Sequence, residues 1–181
     1  DMAAQNGLPV LFLWDSGGAR VQEGAAAMGA YSAVMKKLAD VSGVIPTISV
    51  VLGGMYGCAA LFAALTDFSI AAEDAGRIDL LSPMVRAAVH GQAVDEEKLC
   101  GVQAAAEKGD VQLTAPDAAA ALELAKELLS YLPLNNLEEP PFALNEDSIA
   151  RPILSDGKDI RALLREIADE QCFLELGAAF A

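Results

Sequence analysis

The apolar positions near the start of the chain fall into short continuous runs. Residues 9–15, 45–52 and 68–72 are almost wholly apolar, which is typical of strands buried on both faces of a sheet. Residues 19–37 and 58–65, which separate these runs, have the composition of helices. Because strands alternate with helices, the pattern predicts an α/β fold with a largely parallel sheet.

The pattern from residue 73 to residue 94 is harder to interpret, and clearer helix signals follow it. Ser82 and Pro83 together predict a helix start, and acidic residues at 95–97 predict the first turn of a helix that runs to about residue 106. A short strand is expected at 111–114. Asp117 then caps a helix with apolar residues at helical spacing, which Pro133 ends.

Residues 134–152 carry three of the eight prolines and several acidic residues, which predicts a linker. We therefore predict a domain over residues 1–133 and the beginning of a second domain over residues 153–181. That second unit is expected to hold an amphipathic helix, with Ile160, Leu163, Leu164 and Ile167 inward, and a strand at 172–176. Both termini read as interrupted elements, so we expect a segment of a longer polypeptide.

Composition excludes several classes of protein. The chain is 54% apolar but has no uniformly apolar stretch of about 20 residues, so no membrane-spanning helix and no signal peptide are expected. Three widely spaced cysteines predict neither a disulfide framework nor a zinc site, which favours the reducing cytoplasm. A net charge of −14 argues against a nucleic-acid surface. Five cations remain as candidate phosphate contacts: Arg20, Lys36, Lys37, Arg77 and Arg86.

Glycine follows each of the first two predicted strands. Gly17 and Gly18 follow the first, and residues 53–57, Gly-Gly-Met-Tyr-Gly, follow the second. Each segment leads into a predicted helix, whose first backbone N–H groups attract negative charge. The two turns therefore predict an oxyanion hole made of backbone donors. The alternative is that these glycines only permit tight turns.

Side-chain nucleophiles fit the sequence less well. Ser16 lacks the glycine that hydrolase elbows place two residues earlier, because Trp14 stands there. His90 is the single histidine and lies in polar sequence, where a surface or turn position is expected. A catalytic triad is therefore disfavoured, and Asp15 and Asp67 are expected to act as capping groups.

Residues 15–24, Asp-Ser-Gly-Gly-Ala-Arg-Val-Gln-Glu-Gly, resemble the hallmark of the carboxyltransferase subunits of biotin-dependent acyl-CoA carboxylases and decarboxylases. Residues 42–46, 64–68 and 129–136, the last followed by Glu-Pro-Pro at 139–141, agree with the same family, in register. Residues 159–176 are similar to the opening of its C-terminal domain. The resemblance thus covers nearly the whole chain.

The resemblance implies a crotonase-like spiral of ββα units, of which this chain holds most of the N-terminal carboxyltransferase domain. It implies that this domain binds an acyl-CoA thioester. The residues it assigns to the two oxyanion contacts are Gly17, Gly18, Ala19, Gly57 and Cys58. The residues it assigns to binding of the acyl-CoA are Arg20, Gly53, Gly54 and Tyr56.

The same resemblance implies partners. Biotin would arrive on a biotin carboxyl carrier protein, in a complex with biotin carboxylase or decarboxylase subunits. A homo-oligomer is expected, with the alanine-rich helices as contact surfaces. The direction of carboxyl transfer stays open, since carboxylases and decarboxylases share these motifs.

The chain departs from the family at two places. Tyr56-Gly57-Cys58 stands where the family has Ala-Gly-Gly, and Cys100 and Ala105 replace a glycine pair and a histidine. A backbone N–H does not depend on its side chain, so Gly57 or Cys58 still offers a donor. Two alternatives follow: a non-catalytic CoA-binding or structural subunit, and a biotin-independent crotonase-like CoA enzyme.

Overall fold

The computed structural model of the chain describes residues 1–91, 93, 95–141, 153, 157–168 and 173–180. It divides into two compact units, Asp1–Pro140 with Leu176–Ala181, and Pro141–Glu175. The predicted linker at 134–152 lies largely outside the described residues, so the predicted domain limits stay a prediction.

The first unit is α/β, as predicted. Its strands are β1 (Val10–Ser16), β2 (Thr47–Tyr56), β3 (Phe68–Ala72), β4 (Arg77–Asp79) and β5 (Leu113–Ala115). Its helices are α1 (Met2–Asn6), α2 (Ala25–Val41), α3 (Ala60–Leu65), α4 (Pro83–His90), α5 (Glu96–Cys100), α6 (Val102–Lys108) and α7 (Ala118–Tyr131). Ser82 caps α4 and Asp117 caps α7 through their side chains, as the sequence predicted.

The strands form a parallel sheet in the order β1-β2-β3-β5, and β4 pairs in parallel with the end of β2. The centre of the sheet is dry, since Ile48, Val50 and Ile70 are fully buried. On β1, however, side chains alternate between half-buried and exposed, and Leu13 is 55% exposed. The prediction that β1 is buried on both faces is wrong, because β1 lies at the edge of the described sheet.

The predicted glycine turn after β2 begins later than expected. Gly53 and Gly54 belong to β2, which continues to Tyr56 because β4 supplies a partner for residues 54–56. The sequence between residues 73 and 94 gave no signal for β4. Gly53 leaves room for a neighbouring side chain inside this strand, since a Cβ there would overlap the Asp15 carboxylate as it stands.

Two helices also differ from their predicted limits. α2 begins at Ala25 rather than Ala19, because Gly24 has a φ of 51° and residues 21–23 form a separate 3-10 turn. The helix predicted at 95–106 is two helices, α5 and α6, which meet at the extended residue Gly101. Gly101 bridges to Arg77, so the break places the end of α5 beside β4.

Two of the family-like motifs have structural roles. Asp67 accepts hydrogen bonds from the backbone N–H and the hydroxyl of Thr47, at 2.8 and 2.7 Å, and thereby ties the start of β3 to that of β2. After α7, Asn135 donates to the Gly7 carbonyl at 3.0 Å, and the Asn136 N–H donates to the Val44 carbonyl at 2.9 Å. Both motifs hold the sheet and its connections together.

The second unit contains α8 (Ile160–Ile167), which Asp159 caps. Arg161 forms a two-point ion pair with Glu175, at 2.7 Å for each bond. The predicted inward face of α8 is largely exposed, with Ile160 and Ile167 at 60% and 59%. Residues 173–176 do not form the predicted strand, and Cys172 lies outside the described residues.

Candidate functional site

The two predicted turns lie side by side at the carboxyl ends of β1 and β2. Ser16 is in register with Met55, after an irregularity between Trp14 and Ser16. A Cβ placed on Gly18 would stand 3.4 Å from the carbonyl oxygen of Tyr56. The parallel sheet therefore brings together the two segments that sequence analysis selected separately.

The first turn carries one backbone donor held by a left-handed glycine. Gly18 has a φ of 99°, and its N–H donates to the Ser16 hydroxyl at 3.3 Å. Its neighbours Gly17 and Ala19 are exposed. Because this N–H is bonded to a side chain at a long distance, a stronger acceptor can replace the hydroxyl by rotation of Ser16.

The second turn follows β2 directly. Gly57 has a φ of 67° and opens the 3-10 turn Gly57–Ala59, which continues into α3. The first N–H groups of such a helical segment have no partner within it. Cys58 turns its thiol toward α2, where the sulfur lies 3.9 Å from that of Met28. Backbone donors thus flank the contact between the turns.

Tyr56 lies between the two turns. Its ring covers Gly54, since a Cβ on Gly54 would stand 3.0 Å from the ring and 3.5 Å from the Ser16 carbonyl oxygen. Burial, with smaller contributions from nearby acidic groups, raises the pKa of Tyr56 above its ordinary value. The side chain is therefore a neutral, half-buried phenol beneath the first turn.

All five cations named as candidate phosphate contacts have an acidic partner. Arg20 is the most open of them, with an 82% exposed side chain and a weak 3.4 Å contact to Glu23. The other pairs are Lys36–Asp40, Lys37–Asp1, Arg77–Glu97 and Arg86–Asp79. Arg20 is close in sequence to Gly18, which places the most available positive charge near the turns.

A cluster that the sequence did not indicate lies next to Tyr56. Asp79 is the register partner of Tyr56 on β4. Its carboxylate accepts two bonds from Arg86, at 2.8 and 2.6 Å, and one from the Cys100 thiol at 3.3 Å. The Leu81 N–H adds a further bond at 3.1 Å. The three side chains come from β4, α4 and α5, which are distant in sequence.

Burial by itself raises the pKa of Asp79, but the bonds from Arg86, Leu81 and Cys100 outweigh burial and hold the pKa below its usual value. Burial and the Asp79 carboxylate raise the pKa of the Cys100 thiol to about 11. Cys100 is fully buried, and so is Ala105, at 3% exposure. The two departures from the family at these positions are therefore packed into the interior.

Side-chain nucleophilic catalysis has little support. His90 ends α4 and is exposed, as predicted. Within the described part of the chain, the Ser16 hydroxyl bonds the Gly18 N–H and no histidine. What the site offers is pairs of backbone N–H groups beside a half-buried aromatic ring. Such donors stabilise negative charge that develops on a carbonyl oxygen.

Comparisons with known proteins agree with this geometry. The model of the carboxyl transferase domain family matches residues 1–181. A putative propionyl-CoA carboxylase beta chain of Bacillus subtilis is 39% identical over 190 residues, covering 100% of this chain and 37% of the relative. The methylmalonyl-CoA carboxyltransferase 12S subunit of Propionibacterium freudenreichii is 36% identical, covering 100% and 36%.

A crystal structure of transcarboxylase 12S, described as a hexamer with methylmalonyl-coenzyme A and methylmalonic acid bound, superposes with a TM-score of 0.91 at 35% identity. The match covers 99% of this chain and 37% of that one. The chain thus spans little more than a third of the length of these relatives. Among the described residues, no helix is long and apolar enough to cross a membrane.

Proposed function

The chain belongs to the carboxyl transferase domain family, and from this premise we propose that it binds an acyl-CoA in an enzyme that transfers a carboxylate between biotin and that acyl-CoA. Membership confirms the resemblance of residues 15–24 to this family. The 0.91 superposition on transcarboxylase 12S confirms the crotonase-like α/β fold. Activity, substrate and partners belong to the whole protein and are part of the proposal.

The observation that carries the proposal is the contact between the Gly18 turn and the Tyr56–Gly57 segment. We assign the thioester oxygen to the N–H groups of the first turn, Gly17, Gly18 and Ala19, and to those of Gly57 and Cys58. When the α carbon loses a proton or a carboxylate, negative charge develops on that oxygen. Fixed backbone donors stabilise this charge without reorganisation, and one donor typically contributes about 2.7–4 kcal/mol.

The remaining assigned residues shape the site. Gly53 and Gly54 leave room beside the turns for the Asp15 carboxylate and for the Tyr56 ring. Arg20 is open enough to meet a phosphate of coenzyme A. Tyr56 supplies an apolar surface for the substrate.

The donor set suits a carbonyl oxygen, which both a thioester and the ureido ring of biotin carry. We assign the pair of turns to the thioester, so that biotin is held by residues outside this chain. When bound, biotin supplies or accepts the carboxyl group. The part of this chain is to orient the acyl group and stabilise its enolate.

The partners proposed are a biotin carboxyl carrier protein, biotin carboxylase or decarboxylase subunits, and further copies of this subunit. We place the complex in the cytoplasm, which the free thiols of Cys58 and Cys100 support. The alternative, a non-catalytic subunit, rests on the bulk of Tyr56 and Cys58. Two contacts argue against this alternative. The Tyr56 ring packs on Gly54 and the Cys58 thiol lies beside Met28, so both side chains are accommodated next to the second turn.

A carboxyl-transfer assay on the full-length subunit tests the proposal. The subunit is supplied with biotin and with malonyl-, methylmalonyl- or glutaconyl-CoA, and loss of the acyl-CoA carboxylate is followed. We expect turnover of at least one substrate that stops when biotin is omitted. Binding of acyl-CoA without turnover would establish the non-catalytic alternative, and turnover without biotin would establish a biotin-independent enzyme.

A further inference from the structure

Tyr56 packs against backbone at two places, through its ring at Gly54 and through its own backbone and Cβ at Gly18. Gly54 lies beneath the ring and has no side chain, and a Cβ added there would stand only 3.0 Å from a ring carbon of Tyr56. The first turn lies against the same residue, since the Cβ position of Gly18 is 3.4 Å from the Tyr56 carbonyl oxygen and 4.0 Å from its Cβ. The side chain therefore begins at the contact between the two turns, where the thioester oxygen is proposed to bind, and its ring lies over Gly54.

The Asp79 cluster is the neighbour of Tyr56 on the adjoining strand. Asp79 pairs with Tyr56 across β2 and β4, and paired residues of neighbouring strands point to the same face. The Asp79 side chain is 9% exposed and bonded to Arg86 and Cys100, so it has little freedom to withdraw. Arg77, the register partner of Gly54, is itself held by a 2.7 Å ion pair with Glu97.

We propose that Tyr56 is a specificity-determining residue, whose ring is the wall that limits the size of the substituent on the acyl α carbon. The proposal rests on the proposed function, because it takes the acyl group to lie beside the two turns. Asp79, Arg86 and Cys100 act as positioning residues, since they keep the ring from moving aside for a larger substrate.

The degree to which Tyr56 discriminates between acyl groups in kcat/KM depends on how rigidly its ring is held. One additional methylene against a filled apolar surface typically changes kcat/KM by about 10–200-fold. A wall that yields would give less than this. Here the Gly54 backbone lies under the ring, the first turn packs against the Tyr56 backbone, and the Asp79–Arg86 ion pair holds the neighbouring strand residue, so we expect a value within that range.

The test compares the full-length subunit with Tyr56→Ala, and with Tyr56→Phe as the matched control. In the described part of the chain the Tyr56 hydroxyl makes no hydrogen bond, so phenylalanine keeps the wall and alanine removes it. For each protein, kcat/KM is measured with malonyl-, methylmalonyl- and ethylmalonyl-CoA in the presence of biotin. Thermal unfolding shows whether each variant is folded, and Tyr56→Leu replaces alanine if that variant is not.

We expect the ratio of kcat/KM for ethylmalonyl-CoA over malonyl-CoA to rise at least about tenfold in Tyr56→Ala and to stay at the wild-type value in Tyr56→Phe. An equal loss for all three substrates would overturn the inference, because a merely structural role slows every substrate alike. An unchanged ratio would overturn it too.

The experiment distinguishes a failure of the proposed function from a failure of the inference about Tyr56. If wild type binds acyl-CoA but transfers no carboxylate, the proposed function fails, and the same ratio taken from dissociation constants decides the inference about Tyr56. If wild type binds no acyl-CoA, both are overturned. Arg86→Lys adds a test of the positioning residues, and we expect it to shift the ratio in the same direction by a smaller factor.

Discussion

Replacing Gly18 by alanine is expected to lower kcat by a factor of about 100–1000. Gly18 has a φ of 99°, which costs an L-residue about 1–3 kcal/mol. The added methyl would also stand 3.4 Å from the Tyr56 carbonyl oxygen. The turn relieves this strain by rotating, which takes the Gly18 N–H away from the thioester oxygen. The expected loss equals one oxyanion donor, about 2.7–4 kcal/mol of barrier.

The assay is biotin-dependent carboxyl transfer at saturating acyl-CoA, with thermal unfolding measured on the same samples. Gly29→Ala is the matched control, because Gly29 lies inside α2 with open space at its Cβ position. Alanine there should stabilise the protein by about 0.5–1 kcal/mol and leave kcat unchanged. A Gly18→Ala variant that turns over like Gly29→Ala would refute the assignment of the first turn.

Three further predictions concern the Asp79 cluster. In urea titrations, Arg86→Met should lower the free energy of unfolding by about 2–3 kcal/mol, because the Asp79 carboxylate, whose side chain is 9% exposed, loses its charged hydrogen bonds. Lys126→Met is the control: it breaks an ion pair whose side chains are 70% and 72% exposed, and it should cost less than about 1 kcal/mol. Because the pKa of Asp79 is lower in the folded protein than the unfolded-state value of 3.8, its ionised form adds to folding stability above that pH. This contribution is lost as the pH falls through the folded-state pKa, so the stability of wild type, but not of Asp79→Asn, should decrease below about pH 4 for this reason. The raised pKa of Cys100 acts at alkaline pH: folding stability should fall as the pH rises from 9.0 toward about 11, and Cys100→Ser should not show this fall. In a separate test, iodoacetamide at pH 8 should label Cys58 but not Cys100, as seen in peptide maps of the native protein. Equal labelling of the two thiols would contradict the buried position of Cys100.

Local signals in the sequence were sufficient for most of the fold. The run at 68–72 is β3 with its predicted limits, and the caps Ser82 and Asp117 stand where expected. Errors arose where a distant partner decides the outcome. β2 extends through Gly53 and Gly54 only because β4 pairs with it, and β4 is three residues long, too short to give a periodic signal.

The site shows the same division. Glycine after a predicted strand pointed to both turns, and the parallel sheet brings them into contact. The Asp79–Arg86–Cys100 cluster was not predictable, since its members lie on three elements and no spacing relates them. The sequence predicts the start of α2 at residue 19, six residues too early. Gly24 has a positive φ and precedes the helix, but neighbouring residues do not distinguish such a glycine from one inside a helix.

The central claim is that backbone N–H groups of the two turns hold the thioester oxygen. Isotope-edited infrared spectroscopy of an acyl-CoA with a 13C-labelled thioester carbonyl, bound to the full-length subunit, measures this directly. Hydrogen bonds from fixed donors weaken the carbonyl bond, so we predict a band at lower frequency than that of the free thioester, and a smaller shift in Gly18→Ala. A bound carbonyl that absorbs at the free-solution frequency would contradict the claim.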